Sequence, residues 1–376
     1  MSLDIRPIAI YLPQFHPIPE NDEWWGRGFT EWTNVVKAKP LFQGHYQPHL
    51  PGELGFYDLR LPEVREQQAA LAKQYGIYGF CYYHYWFNGR RVLERPFEEV
   101  FKSGKPDFPF MLCWANENWT RAWDGLDKQV LLKQNYSHED DVQHIKTLIP
   151  YFKDSRYIKI DGKPVFAIYR STLFPDLKRT INIWRDEARK EGLELYLCHF
   201  ESFGAEGREY LAAGFDAAIE FQPQTYQCRP PAKKPTSLRE GITVEALVNS
   251  ISYRTKKVVA DPDKKLKIDE YKEIMQYASQ EREVIKGYKR YPCVMPGWDN
   301  TARRKNGYIV NGSTPERFGK WTAGSLKNFV PPSQDENLFF INAWNEWAEG
   351  NHLEPDQKWG RRYLEAFRNA LQNIHH

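Results

Sequence analysis

Two glutamates near the C-terminal end of the sequence have the type and spacing of a catalytic carboxyl pair. Glu346 and Glu349 lie in the segment WNEWAEG, residues 344–350. Cleavage of a glycosidic bond needs one carboxyl group that protonates the leaving oxygen and a second that assists at the anomeric carbon. Residues three apart on a strand point to opposite faces, so both can converge only if the chain coils after Glu346, which Gly350 would favour. The flanking Trp344 and Trp347 argue against two ordinary surface glutamates.

Eight short apolar runs that could position this pair alternate with helical patterns along the chain. The predicted strands are Ile8–Leu12, Tyr78–Tyr83, Phe108–Trp114, Val165–Tyr169, Leu195–Phe200, Ala217–Phe221, Cys293–Pro296 and Leu338–Trp344. The predicted helices are Leu61–Tyr75, Pro96–Lys102, Glu139–Phe152, Leu177–Lys190, Glu206–Ala213, Asp269–Arg290, Pro315–Asn328 and Trp359–Ile374. Apolar strands separated by helices indicate a parallel sheet covered by helices, and eight such units close into a barrel. We therefore predict an α/β fold, a single (β/α)8 TIM barrel over residues 1–376.

A doubly wound open sheet is the alternative architecture. It would usually carry a glycine-rich phosphate turn after its first strand, and residues 11–16, YLPQFH, form no such turn. The barrel is therefore favoured, with long loops at the C-terminal face at residues 13–60, 87–95, 115–138 and 222–268. The last of these loops is a candidate lid over the site.

Function in such barrels concentrates where the strands end. These exits are rich in carboxylates, amides and aromatic rings, and they include Gln14, Tyr83 and Tyr85. From strand-exit position we predict substrate contacts by Tyr11, His84, Trp114, Asn116, Glu117, Glu201, Trp298, Trp344 and Asn345. Asn116 and Glu117 form a second Asn-Glu pair beside tryptophan, which makes Glu117 the alternative catalytic carboxylate.

Composition excludes some classes of partner. The net charge of +3, with 52 basic and 49 acidic residues spread along the chain, offers no basic stripe for a phosphate backbone, so we expect no nucleic-acid partner. Aromatic residues make up 15% of the chain, with 13 Trp and 22 Tyr, and rings beside hydrogen-bonding groups suit the apolar faces of sugars. The expected partner is an oligosaccharide or polysaccharide.

The five cysteines are odd in number, and four lie in apolar runs, so we expect reduced thiols and a cytoplasmic location. No apolar run has the length of a membrane span, and the N-terminus lacks the apolar core of a secretion signal.

Motifs for metals and cofactors are absent from the sequence. His16, His45, His49 and His84 show no spacing that places two ligands on one helical face. There is also no Walker loop, Gly-x-Ser-x-Gly elbow or paired Cys-x-x-Cys. We therefore predict neither a metal nor an organic cofactor.

Four segments in order resemble the WbsX family: IYLPQFH at 10–16, GFTEW at 28–32, YYHYW at 82–86 and WNEWAEG at 344–350. The likeness runs from about Ile5 to the final helix. WbsX proteins are related to glycoside hydrolase family 99, which contains retaining endo-α-mannosidases and α-mannanases with an Asn-Glu-Trp-x-Glu-Gly signature. Ala348 stands where those hydrolases often have histidine, a difference that bears on substrate preference.

Carried over by position, the resemblance implies that Glu346 is the base that removes the proton of the sugar 2-hydroxyl, so that this oxygen attacks the anomeric carbon. Glu349 would be the general acid and then the base for water. No glutamate becomes covalently attached in this scheme, unlike the usual retaining route.

The main hypothesis is thus a retaining, endo-acting glycoside hydrolase-like enzyme on an α-linked bacterial glycan such as a mannose-containing surface polysaccharide, with sugar transfer as a variant. One alternative is a glycosyltransferase of O-antigen or surface-polysaccharide synthesis, as WbsX-like proteins are commonly named. The other is a glycan-binding barrel without chemistry.

Overall fold

The computed structural model describes residues 5–121, 126–202, 208–227, 266–279 and 289–373. Most of the predicted lid, residues 228–265, lies outside the described residues. The described ends of that segment are a short helix at Gln224–Gln227 and the start of a strand at Lys267.

Eight parallel strands form a nearly closed barrel. They are β1 (Arg6–Tyr11), β2 (Gly79–Phe87), β3 (Phe110–Trp114), β4 (Lys163–Ile168), β5 (Tyr196–Glu201), β6 (Ala217–Glu220), β7 (Arg290–Tyr291 and Cys293–Val294) and β8 (Leu338–Ile341). Each pairs with the next, β8 returns to β1, and the ring is completed because the first segment of β7 pairs with β6 and the second with β8. Pro292 has no N–H to donate and separates the two segments. The predicted TIM barrel is confirmed, and the open sheet is excluded.

Helices cover the outside of the barrel and fill its loops. They are α1 (Pro19–Trp25), α2 (Glu31–Lys37), α3 (Pro62–Gln74), α4 (Arg95–Ser103), α5 (His138–Phe152), α6 (Leu177–Lys190), α7 (Arg208–Ala212), α8 (Gln224–Gln227), α9 (Tyr271–Ser279), α10 (Pro315–Asn328) and α11 (Arg362–Gln372). Several begin where a polar side chain satisfies a free N–H: Ser137 accepts from Asp140, and Asp176 accepts from Arg179. Within the described part of the chain, no helix is both long and apolar enough to cross a bilayer.

Short strands and 3-10 turns shape the loops. The additional strands are Arg90–Val92, Trp119–Arg121, Leu126–Leu132, Lys159–Ile160, Lys267–Glu270, Trp298–Asp299, Tyr308–Asn311, Asn345–Glu346 and Asn351–His352, and the 3-10 turns are Ser171–Leu173, Asn300–Ala302 and Trp347–Glu349.

One helix prediction was wrong at both of its ends. Residues predicted as the start of a helix at Asp269 form a strand that pairs with Tyr308–Asn311, so α9 begins at Tyr271. At the other end Arg290 belongs to β7, and residues 280–288 lie outside the described residues. Because strand pairing is a long-range contact, the helical periodicity of this segment could not reveal it.

Alternation along β2 shows which side chains face the barrel interior and which face the helices. Phe80 and Tyr82 point outward, and the Tyr82 ring packs 5.5 Å from that of Phe97 on α4. Tyr83 and Tyr85 point the other way and line a cavity at the C-terminal end of the barrel. The described cysteines, Cys81, Cys113, Cys198 and Cys293, are buried free thiols, as predicted, and Cys228 lies outside the described residues.

Candidate active site

A cavity of about 490 Å³ opens among the loops that follow the barrel strands. Exits of β1, β2, β3, β4, β6 and β8 all contribute to its wall. Its lining residues are Leu12, Gln14, Asn21, Trp24, Trp25, Tyr83, Tyr85, Ala115, Glu117, Asn118, Trp119, Thr120, Leu131, Tyr169, Arg170, Leu173, Phe221, Arg303, Arg304, Glu346 and Glu349. Functional sites of such barrels lie at this face, so the cavity is the candidate active site.

A tight hairpin after β8 brings Glu346 and Glu349 into this cavity. Asn345–Glu346 pairs antiparallel with Asn351–His352, and a single 3-10 turn at Trp347–Glu349 connects them. Gly350 ends that turn at a φ of +56°, and a Cβ there would lie 3.1 Å from the Cβ of Asp299. Glycine adopts this left-handed conformation without strain, whereas any other side chain would also crowd Asp299. The predicted coil after Glu346 is confirmed.

Arg303 connects this hairpin to helix α2. Its guanidinium forms ion pairs with Glu349 and with Glu31, the latter at 3.2 Å between Nη1 and Oε1. Glu31 is fully buried, and only 15% of the Arg303 side chain is exposed. These carboxylates raise the pKa of Arg303 despite its burial, so the guanidinium stays charged.

The neighbouring Glu346 has the opposite environment. It is buried, and its Oε2 accepts no hydrogen bond from any residue that the structure describes. Burial raises the pKa of Glu346 well above its ordinary value, the charge of Glu349 raises it further, and Arg303 opposes the shift. Burial also raises the pKa of Glu31, again against Arg303. These surroundings therefore favour the protonated form of Glu346.

Two buried asparagines hold the strand exits together. Asn345 Oδ1 accepts from the backbone N–H of Leu12 at 2.7 Å, and its Nδ2 donates to the Leu12 carbonyl at 3.0 Å. Asn116 does the same with Arg170, at 2.8 Å and 2.9 Å. Asn345 thus joins the β8 exit to the β1 exit, and Asn116 joins the β3 exit to the β4 exit. Both are predicted site residues that lie beneath the cavity rather than in its wall.

The third carboxylate of the cavity is Glu117, which forms an ion pair with Arg170. Its side chain is 40% exposed, and desolvation raises its pKa while Arg170 lowers it. Aromatic rings flank the opening, where Trp119 lies 5.7 Å from Trp24 and 5.3 Å from Tyr85, measured between ring centroids. Such half-buried rings are suitable platforms for the apolar faces of sugars.

Three predicted contact residues on β1, β2 and β3 lie outside the cavity. Tyr11 donates to Gln68 on α3 at 2.6 Å, and His84 meets His144 on α5 with 3.0 Å between their Nε2 atoms. Trp114 donates to the carbonyl of Trp86 at 3.2 Å. Their side chains point to the helix layer, because a one-residue change of position along a strand reverses its face. We do not propose direct substrate contacts for them.

The other three predicted contact residues, Glu201, Trp298 and Trp344, also lie outside the main cavity. Glu201 forms an ion pair with Arg290 at 2.5 Å, and Trp344 packs in the core with its ring 5.2 Å from that of Phe80. Trp298 lines a second, smaller cavity of about 150 Å³. The structure therefore brings Glu117, Glu346 and Glu349 into one cavity wall and supports them with Asn116 and Asn345.

The second cavity contains residues that could hold a metal. Ligand atoms of His49, His352 and Asp356 lie within 4.8 Å of one another. His49 and His352 come from segments about 300 positions apart, so a search for local ligand spacing in the sequence could not pair them.

Sequence reasoning also missed residues of the main cavity. Arg170 and Arg303 supply its paired cations, and Trp24 and Trp25 supply part of its aromatic wall. The tryptophan pair in the long loop after β1 was an available signal. Arg303 follows a 3-10 turn in an irregular segment, and no sequence pattern points to it.

Comparisons with known proteins show which family the chain belongs to. Residues 7–367 match the family described as glycosyltransferase WbsX. Two proteins of Xanthomonas campestris pv. campestris, from strains B100 and ATCC 33913, both described as uncharacterized protein WxcX, are 40% identical over 373 residues. The match covers 98% of this chain and 50% of each relative, so the chain spans about half the length of the curated relatives it matches.

Solved structures show the same fold at low identity. The GH99 endo-α-mannosidase of Bacteroides thetaiotaomicron aligns with a TM-score of 0.56 at 14% identity, covering 100% of this chain and 98% of that one. A glycoside hydrolase-like protein aligns with a TM-score of 0.56 at 13% identity, covering 98% and 94%. The chain thus has a glycoside hydrolase-like barrel, and by its match over nearly all of its length it belongs to the WbsX family.

Proposed function

We propose that this chain is a retaining, endo-acting glycoside hydrolase-like enzyme that acts on an α-linked bacterial glycan, such as a mannose-containing surface polysaccharide, with Glu346 and Glu349 as its catalytic pair. The observation that carries the proposal is the hairpin after β8, which brings two carboxyls into one cavity, one of them buried with a raised pKa and the other in contact with Arg303. The flanking Trp24 and Trp119 provide surfaces for sugar rings.

The surroundings of the two carboxyls bear on this chemistry. Burial and the neighbouring Glu349 raise the pKa of Glu346, while Glu349 forms an ion pair with Arg303. The resemblance to family 99 assigns the base to Glu346 and the acid to Glu349, so substrate binding must shift Glu346 to its ionised form.

Substrate contacts provide a reason for that shift. A 2-hydroxyl that donates to Glu346 stabilises its ionised form, and a glycosidic oxygen that accepts from Glu349 stabilises its protonated form. Arg303 then keeps one anionic partner, because Glu31 also contacts it. Its charge therefore stays compensated when Glu349 becomes neutral.

The bond changes follow from these roles. Glu346 takes the proton of the 2-hydroxyl, the freed oxygen attacks the anomeric carbon, and Glu349 gives its proton to the leaving oxygen. Water then attacks the anomeric carbon of the 1,2-anhydro sugar as Glu349 removes its proton, and Glu346 returns a proton to the 2-oxygen. Two displacements at one carbon retain the anomeric configuration.

Glycan turnover without a nucleotide sugar tests the proposal. The purified chain is incubated with α-linked manno-oligosaccharides and bacterial surface polysaccharides, and products are followed by mass spectrometry, with the double variant E346Q/E349Q as control. Shortened glycans from the wild-type chain alone support hydrolysis, and lengthened glycans support the transfer variant. Product formed only after nucleotide sugars are added would contradict the proposal in favour of a glycosyltransferase, and binding without any product would favour a non-catalytic barrel.

A further inference from the structure

The second cavity lies against the hairpin that carries the catalytic pair but does not include the pair itself. Its wall contains His49 from the loop after β1, and His352 and Asp356 from the segment after β8. His352 is paired with Asn345 in the hairpin, and its ring stacks on Trp347 with 3.7 Å between ring centroids. A ligand bound by these three residues would therefore connect the hairpin to the loop after β1.

The hydrogen bonds of His352 define how its ring can act. Its Nδ1 lies 2.9 Å from the carbonyl oxygen of Glu354. A ring nitrogen donates to a carbonyl oxygen only when it is protonated, so in the neutral imidazole Nδ1 carries the proton and Nε2 carries the lone pair. A backbone carbonyl that fixes the tautomer in this way is a common support of metal-binding histidines.

The lone pair of His352 points at the other imidazole, since its Nε2 lies 3.0 Å from Nδ1 of His49. In the absence of a third ligand this distance would describe a simple hydrogen bond. Two nitrogen ligands of a tetrahedral zinc are about 3.3 Å apart, so a shift of a few tenths of an ångström would open this pair to a metal.

Asp356 supplies the third ligand. The residue is 4% exposed, its Oδ2 accepts from the Tyr46 hydroxyl at 3.0 Å, and its Oδ1 accepts from the backbone N–H of Trp359 at 2.5 Å. Within the described ranges it forms no ion pair, and the Lys358 ammonium lies instead over the Tyr46 ring, 4.1 Å from its centroid. Buried carboxylates are ordinarily paired with a cation or bound to a metal.

We propose that His49, His352 and Asp356 bind one divalent transition-metal ion, for which Zn²⁺ is the best match to two imidazoles and one carboxylate. The cavity of about 150 Å³ beside them has room for a water molecule as the fourth ligand. The ion holds the hairpin of Glu346 and Glu349 against the loop after β1. This inference does not depend on the proposed function.

The molecule contains a matched control. His84 and His144 form another imidazole pair, which is buried, at the same separation of 3.0 Å, but among the described residues no carboxylate joins them in a three-ligand cluster. If the third ligand is what makes a metal site, substitution of His84 leaves metal binding unchanged, whereas substitution of Asp356 abolishes it.

The test uses untagged protein, freed of metal with a chelator and then dialysed against ZnCl₂, with MgCl₂ as the hard-cation comparison. Bound metal is measured by elemental analysis and thermal stability by scanning fluorimetry. The variants are D356N and H49Q, which preserve side-chain size better than alanine, with H84Q as the control. Circular dichroism verifies that each variant is folded, and the absorption spectrum of a Co²⁺-loaded sample reports imidazole ligation.

We expect about one zinc per chain in the wild-type protein and in H84Q, less than about one tenth of that in D356N and H49Q, and no retained magnesium. Saturating zinc should raise the melting temperature of the wild-type chain by about 3 °C or more and leave that of D356N unchanged. A folded wild-type chain that retains no zinc, or folded D356N and H49Q variants that both retain a full equivalent, would overturn the proposal.

Discussion

The barrel contains two Asn-Glu pairs that are built alike and differ in what surrounds them. At the β3 exit Asn116 binds the backbone of Arg170, and at the β8 exit Asn345 binds the backbone of Leu12, each through both ends of its amide. In both pairs the glutamate that follows lies in the cavity wall. The shared asparagine geometry fixes the position of each glutamate but does not determine its chemistry.

Burial and neighbouring charge make the difference. Glu117 is 40% exposed and forms an ion pair with Arg170. Glu346 is 5% exposed and lies beside a second carboxylate. The positive charge of Arg303 acts on Glu346 but also on Glu349 and Glu31. A carboxyl group in such a place changes its protonation readily, which is what acid and base catalysis requires.

The largest difference between the two pairs is expected for the glutamates themselves. We predict that Glu346→Gln lowers kcat by about 10² to 10⁴-fold on any glycan that the wild-type chain cleaves, because an amide cannot accept the proton of the 2-hydroxyl. A substrate that lacks the 2-hydroxyl should not turn over with the wild-type chain. Turnover of that substrate would assign the attack on the anomeric carbon to another group, with Glu117 the next candidate.

Substitution of Glu349, the second glutamate of the hairpin, should give a similar loss of activity. The size of this loss should depend on the leaving group. Glu349→Gln is expected to lower activity by about 10² to 10⁴-fold on natural glycans, since their leaving oxygens need a proton. With an activated aryl leaving group, which departs without protonation, the first step should largely recover. Equal losses on both substrate classes in steady-state and burst kinetics would argue against Glu349 as the general acid.

Arg303 is expected to set the pH dependence of the pair. Its positive charge lowers the pKa of Glu346, so Arg303→Gln should raise that pKa further. The base must be ionised to act, and the acid limb of the kcat/KM profile should therefore move to higher pH, with about tenfold less activity on that limb. Arg303→Lys keeps the charge and should shift the limb less. Identical profiles for both variants and the wild-type chain would remove Arg303 from this role.

The asparagines permit a comparison of stability with activity. Asn345→Ala and Asn116→Ala each leave a buried backbone N–H and carbonyl without their partners, so each should lower the free energy of unfolding by about 1–3 kcal/mol. We expect activity to fall at least tenfold in N345A, because Asn345 positions the adjacent Glu346, and only a few fold in N116A. Denaturant unfolding and kcat/KM measured on the same samples separate the two effects, and equal activity losses would make the pairs equivalent.

The smallest effect is expected at Glu117. Because this carboxylate is exposed and paired with Arg170, Glu117→Gln should change kcat by less than about fivefold and act mainly on KM, as the loss of a substrate contact would. A loss as large as that of E346Q would show that the β3 exit, rather than the β8 exit, carries the chemistry.

Much of the framework was predictable from the sequence. Each of the eight predicted strands lies at a barrel strand, and the coil after Glu346 followed from the spacing of two glutamates and a glycine. These features depend on local periodicity and on residues near one another in the chain. The interruption of β7 at Pro292 agrees with the absence of a backbone N–H from proline.

The side-chain orientations were not predictable. Barrel strands are apolar on both faces, so the sequence of β2 does not distinguish the inward Tyr83 and Tyr85 from the outward His84. The contacts of Arg303 with Glu31 and Glu349, and of His49 with His352, join distant segments through irregular loops. The spacing of residues in the sequence does not indicate such contacts.

The most direct test of the central claim is a crystal structure of Glu349→Gln soaked with α-linked manno-oligosaccharides and with any glycan that the wild-type chain cleaves. We predict an unbroken sugar chain in the cavity, with the 2-hydroxyl of one ring against Glu346, the scissile oxygen facing residue 349, and rings lying on Trp24 or Trp119. A glycan bound with its scissile bond at Glu117, or bound only outside this cavity, would contradict it.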